Sequence, residues 1–249
     1  ADVPLMAVVK DRACGLGAVH VARVLEAGGI EWFAVAHTGE ARELRAAGIT
    51  SPILVFGEAG PEDLRWGAQN RIRFALNSLD SLNRWVATDT TVTFHCNIDT
   101  GMTRLGLLPS AIGTLTEAVA EYGNLRMEGV FTHYASADEP GTPVSYGGTW
   151  VASRHTRLAT VAVGYGCGYP RALSNRGRLL IGGVAYPIVG RVTMDYTMVD
   201  IGPEGSVEIG DEAVALGPQG RECIEADEIA RLCGTIGYEV LAGLGGSLD

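Results

Sequence analysis

The sequence predicts an α/β protein: a (β/α) TIM-type barrel over residues 1–140, followed by a mainly β C-terminal domain over residues 141–249. Two observations predict it. Up to Pro140, continuous apolar runs alternate with amphipathic stretches that close on glycine. That is the pattern of repeated βα units whose parallel strands are buried on both faces. After "EPGTP" the texture changes to short β-branched runs broken by Gly and Pro, the pattern of hairpins.

The predicted barrel strands are "LMAVVK" (5–10), "WFAVA" (32–36), "PILVFG" (52–57), "IRFAL" (72–76), "VTFHCNID" (92–99) and "MEGVFTHY" (127–134). Helical patterns between them include 18–28, 40–48 and 79–87, several ending at a glycine stop. Six such units are too many and too evenly spaced for a small open sheet, so a barrel is expected. A full eight-stranded barrel takes about 250 residues, so the last two strands are expected to be missing from this sequence. The second part carries predicted strands at 156–164, 178–183, 185–192, 197–202 and 211–217, interrupted by one helix at 225–234.

Composition narrows the function. A chain of 249 residues, 47% hydrophobic, can bury a sizeable core. A net charge of −10 with scattered basic residues argues against a nucleic-acid partner. No apolar run is long enough for a membrane span, and no leader pattern opens the chain. The five cysteines (14, 96, 167, 223 and 233) form no CxxC pair, which fits reduced thiols and a cytoplasmic setting, with no metal site.

In a barrel, functional side chains collect where strands end and βα loops begin. Lys10, the His95–Asn97–Asp99 stretch and His133 are therefore expected at one mouth, with His133 grouped with Lys10 as cofactor-facing. A lysine desolvated there can act as a neutral amine and form a Schiff base with an aldehyde such as pyridoxal phosphate. The plainer reading is a strand-end lysine reaching for water. Arg104, in "NIDTGMTRLG", could brace an acidic or phenolate oxygen, or the segment could be a turn whose Asp and Thr cap backbone amides. Tyr146 and Tyr165 sit beside glycines, as a phenolic acid–base group would, or simply as hairpin corners would. Met194 and Asp195 lie mid-way along "GRVTMDYTMVDIG", where a core methionine is the plain alternative.

Taken in order, these segments resemble the alanine racemase family, the fold-type III pyridoxal-phosphate enzymes. "AVVKDRACGLG", "WFAVAHTGEARELRAAGI", "FHCNIDTGMTRLG", "MEGVFTHYASADE", "VSYGGTW", "VAVGYGCGYPRALSNRG", "PIVGRVTMDYTMVDIG", "GDEAVALGPQG" and "CGTIGYEV" follow in family order across both predicted domains. The resemblance implies pyridoxal 5'-phosphate as cofactor and racemisation of a small amino acid, L-alanine to D-alanine, as the reaction. It implies that Lys10 holds the cofactor and acts as one base, and that Tyr146 is the opposite base, delivered from the other subunit of a homodimer. Arg104 is implied to support the cofactor ring and the surroundings of that tyrosine. Tyr165, Met194 and Asp195 are implied on the substrate side, and Tyr238 at the cofactor phosphate. Cys14 and Leu16 stand where the family usually has a tyrosine and a histidine, Asn97 where many members carry a carbamylated lysine, and Cys167 where an aspartate is usual. The family's long segment between "THYASADE" and "VSYG", with its last two barrel strands, is missing. The same fold and cofactor acting on another amino acid, or a silent homologue with a structural or regulatory role, are the alternatives.

Overall fold

The computed structural model describes residues 4–133 and 145–245. The chain divides into two compact units, residues 1–100 with 105–133, and residues 101–104 with 134–249. The predicted boundary between 140 and 141 lies outside the described residues.

The first unit is a parallel six-stranded sheet whose strands lie in chain order: β1 (Met6–Val8), β2 (Trp32–Val35), β3 (Ile53–Val55), β4 (Ile72–Leu76), β5 (Val92–Asn97) and β6 (Leu125–Phe131). The predicted runs are recovered, with most ends trimmed by one to three residues and β6 starting two residues before its predicted start. Tyr134, the last residue of the sixth predicted run, lies outside the described residues. Helices α2 (Ala18–Ala27), α3 (Thr38–Ala46), α4 (Pro61–Gln69), α5 (Leu79–Val86) and α6 (Ile112–Glu121) connect the strands. The strand pleat sends Phe33, Val35, Ile53, Val55, Phe74, Leu76, Phe94 and Cys96 into one core with the helices. Trp85 of α5 is fully buried there, edge-on to Phe74 and Phe94 with centroids 6.5 and 5.8 Å away. That geometry adds to the hydrophobic gain of burying an indole. The alternate residues Trp32, Ala34, Leu54, Arg73, Ala75, His95 and Asn97 lie on the other face.

The predicted first strand stops early. Lys10 is not its last residue but opens α1 (Lys10–Cys14), a left-handed turn treated below.

The second unit is built from small antiparallel pieces. β7 (Arg157–Val161) pairs with β10 (Thr197–Gly202), and β8 (Arg178–Ile181) pairs with β9 (Val184–Pro187) and β11 (Ala213–Val214). β12 (Gly217–Gln219) and β13 (Glu222–Ile224) form a further hairpin. The β8–β9 hairpin turns at Gly182–Gly183, both with positive φ, the backbone a two-residue hairpin loop demands. Leu179, Ile181, Ile188, Val199, Ile224 and Ile229 share its core with the fully buried Tyr169 ring. The predicted helix is α7 (Ala226–Cys233), and a second helix, α8 (Gly237–Gly245), follows where none was expected. Its glycines at 237, 243 and 245 lower helix propensity and hid it.

Candidate active site

The sheet unit places Lys10 just past β1. The Val9 N–H donates to Ala34 O at 2.9 Å, the last rung of the ladder with β2. Beyond Lys10 the chain turns with the opposite hand: Asp11, Arg12, Ala13 and Cys14 have φ of 52°, 56°, 53° and 56°. None is glycine, and the left-handed helical conformation costs roughly 1–2 kcal/mol per L-residue. Such a run persists only where the surroundings over-determine it. Part of that restraint is internal: Ala13 N–H donates to Val9 O (3.0 Å), Gly15 N–H to Asp11 O (3.2 Å) and Gly17 N–H to Arg12 O (2.7 Å). Part comes from α3, whose Glu40 accepts the Asp11 N–H through Oε1 at 2.6 Å. The Lys10 Nζ stands 3.0 Å from Asp11 Oδ2 in a partly buried ion pair.

Lys10 is also the only lysine in the sequence, against eighteen arginines. Arginine serves every cationic role except one, that of an amine able to lose its proton and act as a nucleophile or base. This chain keeps its single side-chain amine at the exit of β1. That signal was present in the sequence and is sharper than the strand-end position.

The neighbouring strand exits are polar. Asn97 donates through Nδ2 to Asn77 Oδ1 at 2.9 Å, and Asn77 donates through Nδ2 to Phe56 O at 2.8 Å. Asn97 Oδ1 is buried without a hydrogen-bond partner among the described residues. Thr100 and Thr132 share a hydroxyl contact of 2.7 Å, and His133 follows β6 as an exposed residue. His95, expected at the same mouth, is placed otherwise. Its ring packs against Trp32, the first residue of β2, with centroids 5.5 Å apart. Arg73 lies over the other ring of that pair and forks onto Glu128 at 2.7 and 3.2 Å.

The second unit gathers Arg104, Tyr146, Met194, Asp195 and Tyr165. The Arg104 guanidinium carbon lies 5.8 Å from the Tyr146 ring centroid and 5.6 Å from that of Tyr196, within cation–π range of both. Its carbonyl accepts the Thr160 hydroxyl at 2.6 Å, while its Nε is buried without a partner among the described residues. Tyr146 follows Ser145, a fully buried residue with φ of 60° whose N–H donates to Met102 O at 2.9 Å. Thr193 and Tyr196 close a tight turn (Thr193 N–H to Tyr196 O, 2.9 Å) that carries Met194 and Asp195 at its corners. Tyr165 joins it, its N–H donating to Thr193 O at 3.0 Å and that of Gly166 to Met194 O at 2.8 Å. A side chain at Gly164 would come within 2.2 Å of Thr193 O, so only glycine permits this approach. Tyr238 is not part of the cluster: it projects from α8, 82% exposed. Tyr196 escaped the sequence reading because "TMDYTM" alternates like a strand.

Comparison with known proteins bears on both units. Residues 1–149 match the family model "Alanine racemase, N-terminal domain" and residues 133–249 match "Alanine racemase, C-terminal domain". The alanine racemase of Cutibacterium acnes is 31% identical over 340 aligned positions covering 100% of this chain and 91% of that protein. That of Syntrophobacter fumaroxidans is 32% identical over 331 positions, covering 97% and 88%. Both alignments run longer than the 249 residues of this chain, so the relatives carry residues that it lacks. Among solved structures, alanine racemase from Bacillus anthracis with bound L-Ala-P superposes with a TM-score of 0.53 at 26% identity, covering 98% of this chain and 86% of that one. Alanine racemase from Corynebacterium glutamicum gives 0.52 at 26%, covering 96% and 89%.

Proposed function

The chain belongs to the alanine racemase family, and from that premise we propose that it racemises a small amino acid, L-alanine to D-alanine, with pyridoxal 5'-phosphate as cofactor. The observation that carries this is the sole lysine, held on a strained turn at the exit of the first strand of a parallel sheet. The donor set fits an aldehyde cofactor with a polar ring. One side-chain amine is available to bond it, and Asn97 Oδ1 and Arg104 Nε are among the buried polar atoms without a partner among the described residues. Lys10 would hold the group covalently, with Arg104, His133 and Tyr238 in polar contact. Arg104, Tyr165, Met194 and Asp195 would face the substrate.

When bound, pyridoxal phosphate supplies a conjugated ring that accepts the electrons left at the substrate Cα. The protein's own work is proton transfer on two faces. Lys10 Nζ takes the Cα proton from one face and Tyr146 Oη delivers one to the other, inverting the centre; the reverse direction exchanges the roles. Arg104 lies along the Tyr146 ring and fixes its plane, as the cation–π contact favours. The two bases come from different subunits of a homodimer, so the isolated monomer is inactive. The setting is cytoplasmic.

Optical rotation of L-alanine solutions tests the reaction. Wild-type protein loaded with pyridoxal phosphate is expected to racemise alanine, and Lys10→Ala to lose both the visible absorbance of the bound cofactor and the activity. Tyr146→Phe is expected to keep the absorbance and lose about 10²–10⁴-fold in rate, the usual worth of one acid–base group. An undiminished rate in Tyr146→Phe would overturn the two-base assignment. Turnover of a different amino acid alone would move the substrate, and bound cofactor without any turnover would identify a silent homologue.

A further inference from the structure

We propose that Glu40 is a positioning residue for Lys10, its carboxylate clamping the left-handed turn that sets where the amine stands. The inference rests on the reading of Lys10 given above.

Glu40 is the third residue of α3, and its two oxygens serve two different strand exits. Oε1 accepts the N–H of Asp11, the residue after Lys10, at 2.6 Å. Oε2 accepts the N–H of Ala36, just past β2, at 2.8 Å, and more weakly that of His37 at 3.4 Å. The reach back to the residue before the helix is that of a capping box. The bond to Asp11 is not part of any cap, because Asp11 lies 29 residues away on the neighbouring βα unit. β1 and β2 are paired partners, with Val8 opposite Ala34. One ionised side chain therefore ties together the ends of two adjacent strands, and charged acceptors make the stronger backbone bonds.

The consequence falls on Lys10. Its four-carbon stem is flexible, so the amine's position depends on a fixed Cα, and the Cα is fixed by the turn that starts there. Four non-glycine residues in the left-handed region drift toward right-handed backbone unless something outside the turn holds them. A displacement of about 1 Å at a reacting group can lower a rate by about 10²-fold.

Because the chain has one lysine, chemistry at that amine can be read directly. Full-length protein is mixed with pyridoxal phosphate, quenched with borohydride at intervals, and mapped by peptide mass to separate Lys10 from the amino terminus. In Glu40→Ala the rate of adduct formation at Lys10 is expected to fall at least about tenfold, and kcat about 10²-fold with KM changed by less than about threefold. Amide exchange at residues 11–17 in the cofactor-free protein is expected to speed up, while exchange in β4 and β5 stays unchanged. Glu40→Gln keeps one acceptor oxygen, is expected to fall between the two, and carries the comparison if Glu40→Ala does not fold. Glu43→Ala, exposed on the same helix, is expected to match wild type. Equal adduct rates and equal exchange at 11–17 in wild type and Glu40→Gln overturn the proposal. An absence of any Lys10 adduct in wild type instead overturns the functional reading, and the exchange measurement still decides whether Glu40 holds the turn.

Discussion

Lys10 leads into four consecutive residues of positive φ, whereas Tyr146 follows a single one, Ser145. The two strained mounts are braced differently. At Lys10, the restraint from outside the turn comes from the Glu40 carboxylate, reaching from the next βα unit. At Tyr146 it is spread over neutral backbone and packing. Met102 O accepts the Ser145 N–H, and Gly190 lies so close that an added Cβ would sit 2.9 Å from the Ser145 Cβ. Asn175 spans the same loop from below, taking the Gly190 N–H at 2.6 Å and donating to Thr149 Oγ1 at 2.9 Å. At the exit of β1, one long side chain reaches across from the next βα unit to tie the turn. A set of hairpins supplies many close backbones, so packing does it.

That difference sets an order of sensitivity in the second unit. Gly190→Ala attacks the packing itself: it places a Cβ on a backbone with φ of 73° and presses it onto buried Ser145. The expected cost is about 3 kcal/mol, from left-handed strain plus overpacking, read as a lowered urea midpoint together with reduced turnover. A loss below about 1 kcal/mol would mean the loop yields, and that the close packing is not what holds Tyr146. Asn175→Asp is a milder probe. It keeps the acceptor for Gly190 and the tolerance of positive φ, and loses only the amide donor to Thr149. We expect about 0.5–1 kcal/mol by chemical denaturation, with no change in the fraction of Tyr146 that is competent. An effect as large as that of Gly190→Ala would show one polar side chain dominating this mount too.

The sequence made the sheet unit legible because central strands such as β2 and β3 are buried on both faces. "WFAVA" and "PILVF" are continuous apolar runs that no exposed segment would carry, and their helices announce themselves by amphipathic spacing. The left-handed turn was not legible. "DRAC" contains neither glycine nor asparagine, the residues that mark positive φ, so Lys10 read as the end of a strand. Glu40 was visible only as an acidic residue in a helix's first turn, since its second partner lies in another βα unit. In the second unit, the strand "TMVDIG" was legible from its β-branched alternation. Tyr196 and α8 were not, the first because a turn interrupts an alternating run and the second because three glycines argue against a helix. Local pattern finds elements; it does not find the long-range bond that strains one of them.

The smallest expected effect separates the two units by pH. In the sheet unit, burial against Trp32 holds the His95 imidazole below its ordinary value, with Arg73 adding to the effect and Glu128 opposing it. His95 Nε2 is buried without a hydrogen-bond partner among the described residues, so the fold favours the neutral ring. Below the unfolded imidazole value of about 6.5, the unfolded chain binds a proton that the folded one resists, so stability falls as pH drops from about 7. The second unit's ion pairs behave otherwise. The Arg178 guanidinium holds Glu228 below the usual carboxylate range through bonds of 2.8 and 2.9 Å. A depressed carboxylate keeps its contribution until the pH falls below its unfolded value of about 4.3. Between pH 7 and 5, amide exchange in β2 and β5 is therefore expected to speed up while exchange in β8 does not. The ring is only half buried, so the change is small. His95→Gln is expected to abolish the acceleration in β2 and β5. An equal acceleration in β8, or one that survives in His95→Gln, would show that the acid sensitivity belongs to the whole chain and not to the polar face of the sheet.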